Sequence, residues 1–297
     1  MSLHKVISTQ LNLRTTPKVA TGNIITTLPN GQKVEDLDQS DAPWWKVRTT
    51  FHGTVLEGFA NSAFLEAVAT APAAPTAAAI SAVHLGEHSS ARPNSPSAQA
   101  YAIGDAAAPR RGTVSKAADL ASIINYLDVE NGARYQRKPS STYCNIYAYD
   151  YCYLAKVYLP RVWWTGPALE RLARGETVEV RYGDTVGELN ANSLFSWLVQ
   201  YGSRFGWRRV FDLDAMQAHT NAGGVGVICA IRKELNSSGH IVAVVPETAT
   251  QTAARAVGGV IRPLQSQAGF HNFRYTNGPT AWWQGAEFRE FGFFVVD

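Results

Sequence analysis

The chain has 297 residues, 45% of them apolar and 11% aromatic, enough to bury a sizeable core and to form two domains. Its 27 Lys and Arg against 24 Asp and Glu leave a formal net charge of +3, too mild and too scattered to point to nucleic acid. No apolar run approaches the roughly 20 residues that span a bilayer, and the opening Met-Ser-Leu-His-Lys-Val-Ile-Ser-Thr-Gln lacks the long apolar core of a signal peptide.

Residues 5–66 hold short alternating segments separated by Thr15-Thr16-Pro17, Thr21-Gly22-Asn23, Pro29-Asn30-Gly31 and Ser40-Asp41-Ala42-Pro43. Period-two alternation between turn clusters predicts a small all-β barrel. It contains no cysteine, and its histidines, His4 and His52, fall in expected strand-edge or loop positions. Core packing accounts for one of Trp44 and Trp45; a ligand-facing surface requires the other to be exposed. From Val68 to about Gly112 the chain is rich in Ala, Pro and Ser, a linker composition in which Val83, Leu85, Tyr101 and Ile103 are scattered apolar anchors.

From Thr113 the pattern predicts mixed α and β. A helix is expected over 115–131, with Leu120, Ile123, Ile124 and Leu127 on one face and Gly132 past its end. A second begins at Cys144 and stops before Pro160, and two more cover 190–202 and 212–222, the latter capped by Asp212. Strands are expected at 224–232, 240–246, 258–268 and 291–297. The chain therefore reads as α+β, with a barrel over 1–67, a linker over 68–112 and a helix-on-antiparallel-sheet domain over 113–297.

The three cysteines differ in setting. Cys152 and Cys229 sit inside apolar patterns, and Cys144 and Cys152, eight positions apart on one helix, would lie about 12 Å apart, too far to bridge. Cys144 follows the polar cluster Ser140-Ser-Thr-Tyr and opens a helix that Ser141 or Thr142 can cap, so the helix start biases its thiol toward thiolate. A free cysteine is most often a small buried hydrophobe; position is what singles this one out. His240, opening the apolar strand His-Ile-Val-Ala-Val-Val, is the candidate base, whereas His219 falls within a helix and His271 in a loop. Gln265 or Gln267, on one face of a strand expected to pair with the His240 strand, could hold the imidazole, and the Cys144 N–H would help form an oxyanion hole. No Cys-x-x-Cys or His-Glu-x-x-His spacing occurs, so neither metal nor cofactor is expected.

Two resemblances follow from these residues. Leu11-Asn-Leu-Arg-Thr-Thr-Pro17, Ile24-Ile-Thr-Thr-Leu-Pro-Asn-Gly31, Val34, Trp44-Trp45-Lys46-Val47, Glu57-Gly58-Phe59 and Phe64-Leu65 resemble bacterial SH3-like domains, which bind cell-wall peptides or pack against a neighbouring enzyme domain. Cys144-Asn-x-Tyr-x-x-Asp150, Gly239-His240 and Gln267-Ala-Gly resemble the NlpC-type papain-like cell-wall peptidases and related cysteine/histidine-dependent amidohydrolases over about residues 113–297. The chain departs from that pattern in having Tyr143-Cys144-Asn145-Ile146 where Asp-Cys-Ser-Gly is common, and Gln where the third residue is more often His.

The resemblance implies cleavage of an amide bond in peptidoglycan stem peptides, with Cys144 as nucleophile, His240 as base and Gln267 as orienting group. The alternatives are a catalytically silent wall-binding or interaction protein, and a papain-like acyltransferase. We expect a monomer acting on the bacterial wall, in the periplasm or outside the cell, delivered by a phage lysis system or a contact-dependent secretion machine.

Overall fold

A computed structural model of the chain describes residues 3–51, 54–68, 80–84, 103–114, 116–139 and 141–297. The chain divides into two compact units, Met1–Ala74 and Pro75–Asp297. In the first, strands β1 (Leu3–Val6), β2 (Gln10–Arg14), β3 (Ile24–Pro29), β4 (Lys33–Asp38), β5 (Trp44–Phe51), β6 (Thr54–Asn61) and β7 (Leu65–Ala67) form one antiparallel sheet in the order β3-β2-β6-β5-β4-β1-β7. Alternate side chains, among them Val6, Leu11, Leu13, Val34 and Val47, close a small core against which Trp45 packs; Trp44 is half-buried. His4 is neither at a strand edge nor in a loop. It is buried in β1, which pairs with β4 and β7, and meets the Trp45 ring edge-on at 4.9 Å. His52 lies outside the described residues.

The second unit contains α1 (Lys116–Leu127), α2 (Cys144–Leu154), β8 (Val162–Trp164), α3 (Gly166–Ala173), β9 (Val186–Glu188), α4 (Ala191–Gln200), β10 (Arg208–Val210), α5 (Leu213–Asn221), β11 (Val225–Arg232) and β12 (His240–Val244). It is completed by β13 (Ala254–Ala256), β14 (Gly259–Arg262), β15 (Gln265–Gln267), β16 (Phe273–Thr276) and β17 (Phe288–Val296). Its main sheet is antiparallel in the order β10-β17-β11-β12-β15-β16. Both faces are covered, as the continuous apolar run of β11 requires. Val227, Cys229, Ile241 and Ala243 pack with side chains of α1, α2 and α4, whereas Ile228, Val242 and Val244 pack with Met216 of α5 and with Trp283. The α2 helix lies on β12 and β15, so the elements that begin at Cys144 and His240 are direct neighbours.

Several boundaries differ from expectation for local reasons. The first helix stops at Leu127, short of 131, because Asp128 takes a left-handed conformation (φ 41°) and its carboxylate binds the Asn131 amide and the Arg274 guanidinium. Ser115 lies outside the described residues. The expected strand 258–268 is two strands broken at Pro263, which has no N–H to donate: β14 pairs with β13, and β15 joins the main sheet. The last strand starts earlier, at Phe288. The three-residue strands β8, β9 and β10 are too short for a periodic signal, and α3 starts at Gly166-Pro167.

Of the expected linker anchors, Leu85 and Tyr101 lie outside the described residues, but Ile80, Val83 and Ala108 are buried in the second core and Ile103 packs against it. The Val83 N–H donates to the Tyr158 hydroxyl (2.8 Å), which donates back to the Val83 carbonyl (3.0 Å). Arg111 donates to the carbonyls of Gly223 (3.0 Å) and Asp297 (2.9 Å). A chain beginning at residue 113 should therefore be about 3–5 kcal/mol less stable than one beginning at 75, since burying Ile80 and Val83 contributes about 1.5–2.5 kcal/mol each. Urea unfolding of the two would check it, and coincident midpoints would contradict it.

Candidate active site

Cys144 is the first helical residue of α2. The residue before it, Tyr143, is the N-cap and makes no side-chain capping bond. Neither expected cap performs that role: Ser141 is paired with Lys138 through two backbone hydrogen bonds, and Thr142 lines the cleft described below. The first-turn N–H groups thus have no capping oxygen and remain available to an anion at the helix start. Asn145 turns away, its amide donating to the Leu189 carbonyl at 2.9 Å and tying the helix start to the chain that leads into α4.

The turn from β11 to β12 places His240. Asn192, in the first turn of α4, accepts from the Arg232 N–H (3.0 Å) and donates to the Ser237 carbonyl (2.8 Å), so one amide clamps both sides of the turn. Gly239 is required here because a Cβ would run into the Ala230 carbonyl and that same Asn192 amide. Asn192 has no sequence signal beyond its place in a helix N-terminus.

The His240 side chain lies near enough to the Cys144 sulfur for its hydrogen-bonding and charge interactions to lower the thiol. The ring Nε2 lies 3.1 Å from Gln267 Oε1. The direction of that bond follows from the other end of the amide: Gln267 Nε2 is 2.9 Å from the His271 carbonyl, which can only accept. The amide oxygen therefore faces the ring, Nε2–H donates to it, and Nδ1 is left for the sulfur. Gln265 serves differently. Its Oε1 accepts from the Trp282 indole (2.8 Å), and Trp282 meets the imidazole edge-on at 4.7 Å between ring centres. On the opposite side Gly269 leaves room for the ring, since a Cβ there would press on His240 Cε1 at 3.2 Å. Sequence reasoning did not find Trp282; the tandem Trp282-Trp283 was its only trace. His219 binds the Val296 carbonyl, and His271 contributes its backbone, so neither side chain joins Cys144.

Burial by itself pushes the Cys144 thiol up, but the hydrogen bond and charge of His240, joined by the backbone of Ile241 and Asn145, hold it below the ordinary thiol value. Burial pushes His240 down, and the bond and charge of Cys144, together with Gln267, raise it above the ordinary imidazole value. The two shifts share a cause, each group favouring the charged form of the other, and both move the pair toward thiolate and imidazolium. Cys152 and Cys229 are equally buried and lack such a partner, and burial pushes both thiols up. Cys144 is 2% exposed, whereas His240 and Gln267 line a cleft of about 460 Å³ together with Trp282, Phe270, Arg232 and Glu287, among others. Among the described residues no group of His, Cys, Asp and Glu is arranged to hold a metal, and no helix is long and apolar enough to cross a membrane.

Residues 9–66 match the family described as Bacterial SH3 domain, so the first unit contains such a domain. No curated protein matches the chain. Among solved structures it is similar to NlpC2 from Trichomonas vaginalis, at 10% identity over 98% of this chain and 73% of that one, with a TM-score of 0.24. NlpC1 from the same organism is similar at 11% identity over 98% and 69%, with a TM-score of 0.23.

The paired shifts predict a bell-shaped pH profile for alkylation of Cys144 by iodoacetate, an anion that the imidazolium attracts. The rate should rise as the thiol ionises, below the ordinary thiol value of 9.0, and fall as His240 loses its proton, above the ordinary 6.5. A single rise centred at the ordinary thiol value would contradict the pair.

Proposed function

We propose that the second unit is a papain-like cysteine hydrolase that cleaves an amide bond in the stem peptides of bacterial peptidoglycan. The observation that carries this reading is the setting of His240, which interacts with buried Cys144, is bonded to Gln267 and lines an open cleft. A helix bearing the nucleophile packs on an antiparallel sheet bearing the base, as the motif resemblance implies. The choice of wall peptide rests on that resemblance and on the bacterial SH3 domain in the same chain, to which we assign binding of wall peptides.

In the reaction the Cys144 thiolate attacks the scissile carbonyl. The Cys144 N–H, unused in the first helical turn, helps to stabilise the oxyanion. His240, protonated on Nδ1, gives that proton to the leaving amine as the tetrahedral intermediate collapses to a thioester. The neutral ring then takes a proton from the water that attacks the thioester; collapse of the second tetrahedral intermediate expels Cys144 as thiolate, which restores the pair with the protonated ring, and the new carboxylic acid loses its proton to solvent. Gln267 accepts from Nε2–H throughout, so the ring presents the same nitrogen in both halves of the cycle. We place this activity at the cell wall, in a monomer that uses neither metal nor cofactor.

Digestion of purified sacculi followed by mass spectrometry should show released stem-peptide fragments ending at one new carboxylate. Cys144→Ala and His240→Ala should each lower the rate by at least about 10³-fold and leave the circular dichroism spectrum intact, because the two residues act as a unit. Gln267→Ala should lower it by about 10- to 100-fold, less than the loss of a general base. A Cys144→Ala variant that releases fragments at more than a few per cent of the wild-type rate would overturn the nucleophile. Intact sacculi with a reactive Cys144 would turn the reading toward a scaffold or an acyltransferase.

A further inference from the structure

We infer that Asn272 is a positioning residue for the base, acting through the His271 carbonyl and Gln267; this rests on the Cys144–His240 reading above. Asn272 occupies the turn between β15 and β16, and all its polar atoms are engaged. Its Nδ2 donates to the carbonyls of Val129 (2.9 Å) and Tyr135 (3.0 Å), and its Oδ1 accepts from the Gly269 N–H (3.0 Å). Because two carbonyls can only accept, the amide has a single orientation, and its oxygen is forced toward Gly269. The turn 269–272 is thereby closed on itself and tied to the segment after α1.

That segment is anchored in turn to the helix that carries the nucleophile. Asp150 of α2 is fully buried; its carboxylate accepts from Arg134 Nε (2.6 Å), Arg134 Nη2 (3.0 Å) and the Tyr135 hydroxyl (2.8 Å). A second link joins the same elements, since the Tyr147 hydroxyl of α2 is hydrogen-bonded to the Ser266 hydroxyl of β15. The result is a continuous series from Asp150 through Tyr135, Asn272 and the His271 carbonyl to Gln267 and His240. The Asn272 amide is held at both ends and fixes the turn that carries the His271 carbonyl, and that carbonyl holds the Gln267 NH2 so that the amide oxygen is left for the ring. With the His271 carbonyl released, Gln267 could rotate and present its NH2 to the ring. The ring Nε2–H would then lose its acceptor, and the imidazolium would lose the bond that helps hold it protonated.

Asn272→Ser replaces the amide and its two N–H donors by a single shorter hydroxyl that cannot serve Val129 and Tyr135 together, so it tests that double link; Asn272→Ala removes every side-chain polar atom. The measurement is the iodoacetate pH profile of Cys144 in the full chain, which needs no wall substrate. The descending limb should move down by about half a pH unit to one unit in Asn272→Ser, and at least as far in Gln267→Ala. In a Gln267→Ala background, Asn272→Ser should move it no further, because the effect passes through Gln267. The rising limb and the thermal midpoint report any general loosening. An unmoved descending limb in Asn272→Ser, or additive shifts in the double variant, would overturn the assignment. A wild-type profile without a descending limb would overturn the pair, and the assignment with it. Sacculus digestion separates the two questions: a bell-shaped profile that Asn272→Ser moves, with no released fragments, keeps the positioning role and removes only the proposed substrate.

Discussion

Charge separation between a sulfur and an imidazole inside a protein is stable only if the gain from the pair and its hydrogen bonds exceeds the loss of water around both groups. In this chain burial opposes ionisation at both Cys144 and His240, yet the thiol is lowered and the imidazole raised. Much of the second unit serves that balance. The helix start supplies uncapped N–H groups, the backbone of Ile241 reaches the sulfur, and Gln267 takes the outer ring proton. Cys152 and Cys229 show the alternative, because equal burial without an imidazole beside the sulfur leaves a thiol pushed up.

A pair of this kind also needs its two halves carried on elements that cannot slide. The antiparallel sheet gives β12 its register from both sides, with Ala230 opposite His240 in β11 and Ser266 opposite Ala243 in β15. Helix α2 is then keyed to the sheet through apolar burial and the Tyr147–Ser266 hydroxyl pair, and buried Asp150 ties it to Arg134 and Tyr135 in the segment after α1. Gln265 and Gln267, two apart on β15, divide the work: one fixes the indole that flanks the imidazole, the other fixes the imidazole itself. An isolated buried amide would cost free energy, whereas here each is satisfied by backbone on one side and ring on the other.

The two units differ in how they use polar groups. In the first, a buried Arg14 binds the Asn23 amide oxygen at 2.7 Å, and Asn23 donates to Thr16 and to the Lys18 carbonyl, so the polar network closes a turn. In the second, comparable networks converge on a cleft.

Much was legible in the residues themselves. Local signals carry information about local structure: Asp212 and Asn190 cap the helices that follow them, period-two alternation marks the first sheet, and a thiol at a helix start or a histidine at a strand start is a property of a few consecutive residues. Tertiary structure decided everything that depends on which segments meet. It decides which of Gln265 and Gln267 faces the ring, a choice that residue type and strand face left open and only the motif resemblance pointed toward Gln267, because strand pairing and the turn at His271 set the two amides differently. It brings in Asn192, Trp282 and Asn272 from positions 48 residues before and 42 and 32 after His240, distances over which a single sequence has no periodic signal. It also draws Ile80, Val83 and Ala108 out of an Ala/Pro/Ser-rich stretch and into the second core, and gives Arg111 the Gly223 carbonyl as a partner, because each depends on distant side chains and backbone that composition does not encode.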